Sequence, residues 1–198
     1  DRVRRTEVTY GAMAAASAQD GRWEAACDLL RHARLRHVPP TAIACGSAAS
    51  ACAKAAEWSA ALDVLRSAIS DGVALDAALF NAAIDACRRG SSLVSAWGVF
   101  EHMQAKRVDA SRGTFSLACS VCERAGSWRE ALSLVRQMLE NQVPRDLRVL
   151  NSVISACGKG HQWPHALRIF WEMQSDALQP DTVSFGTALD AMDRAGRA

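Results

Sequence analysis

The stretch CERAGSWREA (residues 122–131) returns thirty-five positions later as CGKGHQWPHA (157–166), with cysteine, tryptophan and alanine in matching places. Followed outward, the Cys122 and Cys157 column continues back to Cys87 and Cys52. Trp128 and Trp163 belong with Trp23 and Trp58, and Leu93 stands in the middle place. Ala131 and Ala166 extend to Ala26, Ala61 and Ala96. Met103, Met138 and Met173 keep the same step, as do Val3, Val38, Val73, Val108, Val143 and Leu178. Five columns in one register identify an internal repeat, and a period of this length marks a stacked helical array.

The columns divide the chain into units 7–41, 42–76, 77–111, 112–146 and 147–181. A truncated sixth covers 182–198, and residues 1–6 form the tail of a preceding unit. Residues 1–198 therefore read as one continuous array and as a window on a longer protein. Gly21, Gly90, Gly126, Gly160 and Gly196 fall fourteen or fifteen residues into their units, where a turn between helices needs them. Pro39, Pro40, Pro144 and Pro180 precede the next unit, and Pro164 suits the first turn of a helix. Apolar residues recur at positions 4, 7, 8 and 11, then at 17, 20, 21, 24 and 27, both with helical spacing. Helices this short are not stable alone, so the hairpins must stack. The expected fold is all-α, a right-handed α-solenoid of antiparallel helix-turn-helix hairpins.

Bulk properties agree. Hydrophobic residues make up 49% of the chain, enough for a core, and no apolar run reaches the ~18 residues of a membrane span. Seven cysteines, an odd number spread through a helical pattern, read as reduced thiols. The net charge of +2 implies a polyanion partner only through its arrangement. That arrangement is regular: Lys54, Arg89, Arg124, Lys159 and Arg194 all occupy position 13, and Gln19 alone departs. A phosphate track is one reading. The other is a solvated cation favoured by the dipole at the end of each first helix.

Tetratricopeptide repeats have 34 residues and a different consensus. Here units open with sequences such as EVTYG (7–11) and LRVLN (147–151), close with VPRD (143–146) and LQPD (178–181), and carry RAGSWREAL (124–132) at the centre. Over essentially its whole length the chain resembles the pentatricopeptide repeat family in its plain 35-residue form. The resemblance implies a sequence-preferring binder of single-stranded RNA, reading about one base per repeat. It further implies a mitochondrial or plastid setting, with a role in RNA processing, stability or translation. The alternative is a helical scaffold in a large assembly, with other proteins along the solenoid and degenerate RNA readout.

In this family the fifth and last residues of a repeat read the base, running 5′ to 3′ from the N- to the C-terminus. The resemblance therefore implies uracil for Asn151 with Asp181, guanine for Ser116 with Asp146, and cytosine for Asn81 with Ser111. Short amides and hydroxyls can reach a base edge, and a carboxylate can accept from the N–H of guanine or uracil. Gly11 with Thr41 and Gly46 with Asp76 lack a side chain at the fifth position, as does Gly186, so readout is expected to be relaxed there. The second position is expected to sandwich bases. Val8, Ile43 and Val183 fit it, while Ala78, Gly113 and Arg148 depart from the aliphatic pattern, although an arginine can stack on a base.

Other signals carry less. Cys119 and Cys122 have the spacing of half a zinc site without a second pair, and Cys122 belongs to a packing column. His161 and His165 are separated by Pro164 and a turn. The tryptophans, in register with alanine and leucine columns, read as packing between helices rather than as base platforms. No nucleophile-base pair or Gly-rich phosphate loop is evident, so no enzyme activity, metal, cofactor or small-molecule substrate is expected.

Overall fold

The computed structural model describes residues 7–175 and 177–196, except for the side chains of Gln174 and Ala195. The expected tail at 1–6, with Val3, and the end of the truncated unit at 197–198 lie outside the described residues. The chain forms two compact units, Asp1–Asp109 and Ala110–Ala198. The first contains α1 (Glu7–Gln19), α2 (Trp23–Leu35), α3 (Ala42–Ala55), α4 (Trp58–Ser70), α5 (Ala77–Arg89) and α6 (Leu93–Ala105). The second contains α7 (Arg112–Ala125), α8 (Trp128–Glu140), α9 (Leu147–Lys159), α10 (Trp163–Ser175) and α11 (Thr182–Gly196). All the secondary structure described is helical, as the periodicity implied.

Within each unit successive hairpins stack through their first helices. In the first, α3 packs on α1 and α5, and α2, α4 and α6 each pack on their hairpin partner. In the second, α9 holds α7 and α11, with α8 and α10 alongside. The apolar columns supply the contact. Leu150, Val153, Ile154 and Cys157 of α9 are buried, as are Phe80, Ala83, Ile84 and Cys87 of α5. Each large aliphatic side chain so buried contributes about 1.5–3 kcal/mol. Two further columns close the core: position 3 (Ala44, Leu79, Thr114, Val149, Ser184) and position 23 (Val64, Val99, Leu134, Ile169).

Each hairpin turn needs a left-handed residue at position 15. Gly21 and Gly126 supply it at φ 70° and 67°, while Ala56, Ser91 and His161 adopt φ of 55–61° without being glycine. The loop to the next unit repeats the demand at position 31, met by Gly72 and by His37, Arg107, Gln142 and Ala177. Backbone bonds from the following residue close both turns, such as Glu57 N–H to Cys52 O at 2.9 Å and Val73 N–H to Ala68 O at 3.0 Å. These are the six-to-one bonds that end helices on a left-handed residue.

The tryptophan column is less buried than its register suggested. Trp58 is 37% exposed and Trp163 43%. The indoles of Trp58 and Trp128 cover the turn of the following hairpin, where a Cβ on Gly90 or Gly160 would collide with the ring. At Gly90 it would also meet the Ala56 carbonyl oxygen at 2.8 Å. Trp58 and Trp128 therefore pack between hairpins, partly wetted, and the position-14 glycines Gly90 and Gly160 leave room for them. His165, half-buried, lies against Trp128 with ring centres 5.4 Å apart.

Candidate nucleic-acid interface

The last residue of each unit is the N-cap of the next first helix. Thr41 Oγ1 accepts the Ala44 N–H at 3.2 Å, Asp76 that of Leu79 at 2.9 Å, and Asp146 that of Val149 at 2.9 Å. Ser111 forms a reciprocal capping box with Thr114. Asp181 accepts from the Ser184 N–H at 2.8 Å and hydroxyl at 2.9 Å, while Ser184 Oγ accepts the Asp181 N–H at 3.2 Å. Such caps satisfy backbone donors that the helix cannot, typically a contribution of ~1 kcal/mol each. The Thr, Asp, Ser, Asp, Asp series at these positions thus has a folding reason of its own. The cap also places Thr41 beside Gly11 of α1 and Asp181 beside Asn151 of α9, each next to the preceding first helix.

Asn151 occupies that space in the fifth unit. Its Nδ2 donates to Asp181 Oδ1 at 3.4 Å, joining the expected fifth and last residues directly. Hydrogen bonds from Ser184, reinforced by Asn151, hold the Asp181 carboxyl below the usual carboxylate range, so it is ionised at neutral pH. Asn151 Oδ1 is buried and has no hydrogen-bond partner, and the same is true of Asn81 Oδ1 on α5. Buried polar atoms seldom go unmatched. Both fifth-position amides thus hold an unused acceptor.

Around this pair lies an open depression of about 510 Å³, lined by Leu147, Arg148, Asn151, Ser152, Asp181, Val183 and Thr187, with Ser120 and Glu123. A second, of about 350 Å³, is lined by Glu7, Val8, Gly11, Ala12, Ala15, Thr41 and Ile43. The two sites correspond residue for residue across four periods: Val8 to Arg148, Gly11 to Asn151, Thr41 to Asp181, Ile43 to Val183. A Cβ on Gly11 would lie 3.8 Å from Thr41 Oγ1, so fifth and last positions adjoin here too. The flanking second-position residues stand in solvent, with Val8 79% exposed, Ile43 73% and Val183 58%. Ala78, Gly113 and Arg148 are likewise exposed.

Gly46 lies on α3 with open space where a side chain would project, and Asp76 is exposed at its cap. Ser116 is half-buried on α7, and Asp146 caps α9. Asn81 belongs to the first compact unit and Ser111 to the second. Gly186 on α11 also faces open space.

The position-13 cations are exposed but engaged. Lys54 Nζ donates to the Ala18 carbonyl in the last turn of α1, and Lys159 Nζ to the Glu123 carbonyl in the last turn of α7, both at 2.8 Å. Arg89 pairs with Asp85 at 2.7 Å and Arg194 with Asp190 at 2.8 Å, each one turn back along its helix. Arg124 ends α7. The two behaviours go with both residues: an arginine with Asp85 or Asp190 one turn back stays on its own helix, while a lysine with Ser50 or Ser155 there reaches the preceding hairpin. An ammonium has three donors, so each lysine keeps capacity for a phosphate beyond its carbonyl. The lysine bond to the preceding helix end could not be anticipated from the column alone.

Cys119 and Cys122 are buried in α7, and burial pushes the Cys122 thiol up to about 12. Such thiols are inert fillers.

A family model described as the pentacotripeptide-repeat region of PRORP matches residues 44–198, and a PPR repeat model matches residues 8–36. No curated protein is significantly similar in sequence. Among solved structures, the PPR domain of Arabidopsis thaliana protein-only RNase P 1, in complex with tRNA, aligns with a TM-score of 0.78 at 15% identity, covering 97% of this chain and 99% of that one. The maize protein PPR10, in complex with an 18-nt psaJ RNA element, aligns with a TM-score of 0.72 at 22% identity over 97% of this chain. This chain spans only 28% of the PPR10 chain's length. The nuclear proteinaceous RNase P 2 of A. thaliana aligns at 0.68 and 14% identity, over 77% of this chain and 35% of that one. At these identities the likeness is one of fold. The family-model match, which spans most of the residues, goes further, and with the 35-residue period and the hairpin stack it places this chain in the pentatricopeptide repeat family.

Proposed function

We propose that this chain is a single-stranded RNA-binding module that prefers certain sequences, with bases entering the spaces between successive first helices. The observation that carries the reading is the Asn151–Asp181 pair, set in an open depression between the exposed Arg148 and Val183. The amide Nδ2 has a second hydrogen to donate to a carbonyl oxygen of the base, and the ionised carboxylate can take the N–H of uracil. Arg148 and Val183 supply a guanidinium plane and an aliphatic edge to hold the ring from either side. The RNA and tRNA seen with PPR10 and the RNase P 1 PPR domain support the same class of partner. Ser116 with Asp146 would take guanine and Asn81 with Ser111 cytosine. Thr41 and Asp76, opposite glycines, would read loosely. Position-13 cations would contact phosphates with the donors left over from their caps.

Residues 1–198 act on this reading as the recognising part of an organellar protein that processes, stabilises or promotes translation of an RNA, in mitochondria or plastids. Any catalysis would belong to another part of that protein.

Asp181→Ser tests the base assignment, because serine keeps the N-cap while removing the carboxylate. The preference of the fifth unit should move from uracil to cytosine by about tenfold or more, the ~1–3 kcal/mol of a well-made base contact. Binding to RNAs differing at that one base would measure it, and an unchanged preference removes the assignment. The reciprocal gain is Gly46→Asn. It places an amide in open space opposite Asp76, replaces a helical glycine, and should create a second uracil preference without loss of stability. If binding ignores the corresponding base, the fifth position does not read.

A further inference from the structure

Six of the seven cysteines are buried. Cys27 is the exception, half-buried at position 21, where the other full units carry Leu62, Trp97, Leu132 and Leu167. It is a thiol placed in an apolar column. Its Sγ lies 3.7 Å from that of Cys52, which is fully buried in the last turn of α3. The pair joins two hairpins: Cys27 stands on α2 of the first and Cys52 on α3 of the second. Ala53, Ala61 and Ala86 are buried with Cys52, and Trp23, Cys27 and Ala60 pack against that cluster.

We propose that Cys27 and Cys52 form a redox-active dithiol that low-molecular-weight disulfides convert to a bond between the first and second hairpins. Cys27 is the attacking sulfur, since it has access to solvent and its thiolate accepts the Cys52 S–H. That hydrogen bond lowers its pKa, whereas the same bond and burial raise that of Cys52. In the first step the Cys27 thiolate attacks one sulfur of the small disulfide RSSR, giving Cys27–S–SR and releasing RS⁻. Capping Cys27 removes the negative sulfur to which Cys52 was donating. Cys52 then loses its proton to solvent and attacks Cys27 Sγ, expelling the second RS⁻. The thiol pair is oxidised by two electrons, RSSR is reduced to two RSH, and the protons balance through solvent.

The sulfurs must close from 3.7 Å to about 2.05 Å, a shift that side-chain rotation and a small approach of α2 to α3 can supply. Cys45, Cys87 and Cys157 are buried, with their thiols pushed up to about 11, and are slow nucleophiles for the same reagent. The bond would tie together the two hairpins whose first helices, α1 and α3, flank the depression at Gly11 and Thr41.

The test treats the reduced, folded chain with oxidised glutathione and follows intact mass, peptide mapping and alkylation after denaturation. The expected product is two hydrogens lighter, carries a Cys27–Cys52 peptide link and leaves five of the seven thiols free to alkylate. It should melt about 10 °C higher, as expected when a loop of this size is cross-linked. Cys52→Ala should stop at a stable glutathione adduct on Cys27, and Cys27→Ala should not react while folded. A native chain that keeps glutathione on Cys27, or that links other cysteines, overturns the proposal. So does one that reacts only after unfolding. If an alanine variant fails to fold, the peptide map of the unmutated chain decides alone.

Discussion

Exchanging Lys54, Arg89, Arg124 and Lys159 together for glutamine is expected to weaken binding of single-stranded RNA by several hundredfold at about 0.1 M salt. Each phosphate contact to a single strand contributes a salt slope of about 0.7, so four contribute nearly three. At a tenth molar that slope corresponds to nearly three decades of affinity. The measurement is a set of binding isotherms across salt concentrations, in which the slope should fall along with the affinity. The structure adds a second consequence that separates the residues. Lys54 and Lys159 hold carbonyl oxygens of the preceding hairpin, and glutamine is too short to replace an ammonium there. Those two changes should each cost about 1 kcal/mol of stability, the lower end for a charge-assisted bond at a partly exposed site. Arg89→Gln should cost less, since it leaves Asp85 its bond to Arg88. Lys54→Arg keeps the charge and should keep the slope. If all four can be neutralised with only stability lost and the slope intact, the cations serve as links between hairpins and contact no phosphate.

The largest expected loss of stability comes from a residue with no part in recognition. A Cβ on Gly158 would lie 2.9 Å from Ala191 Cβ and 3.0 Å from Ala191 Cα, so α9 and α11 meet with essentially no side chain between them. Gly158→Leu must push α11 away or force its own side chain off-rotamer, and should destabilise the second compact unit by about 3 kcal/mol. Chemical denaturation followed by circular dichroism measures this. Gly98→Ala in α6 is the control. Its Cβ would meet nothing within 4 Å, so the gain in helix propensity should stabilise by roughly 0.5–1 kcal/mol. Equal effects at the two sites would mean that the α9–α11 approach is not a constraint.

Much of this was legible in the period. Once Cys122 and Cys157 were in register, the start of each helix followed, because Trp, Ala and Met columns recur at helical spacing. The adjacency of Asn151 and Asp181 was implied only through family resemblance, thirty residues apart in the chain. The structure gives it a physical basis, since the last residue caps the next first helix and must sit beside the previous one. That capping role was open to sequence reasoning: Thr41, Asp76, Ser111, Asp146 and Asp181 are all residues that N-caps favour. Base recognition and capping favour the same residue types, so the column alone does not separate the two roles. The left-handed position 31 was hidden, as only Gly72 among its five occupants announces it. The bonds of Lys54 to Ala18 and Lys159 to Glu123 span 36 residues and depend on how hairpins stack, which no single column encodes. The register of the tryptophans implies packing between helices, but the half-exposed place of Trp58 and Trp128 over Gly90 and Gly160 depends on the geometry of the turn.

Selection from a random pool of single-stranded RNA bears on RNA recognition most directly. The folded chain should enrich a short motif with guanine and uracil at adjacent positions, read by Ser116 with Asp146 and by Asn151 with Asp181. Tolerant positions should lie towards its 5′ side. A pool that shows no enriched motif, with binding that depends only on length and is micromolar or weaker, would contradict this and mark the chain as a protein-binding scaffold.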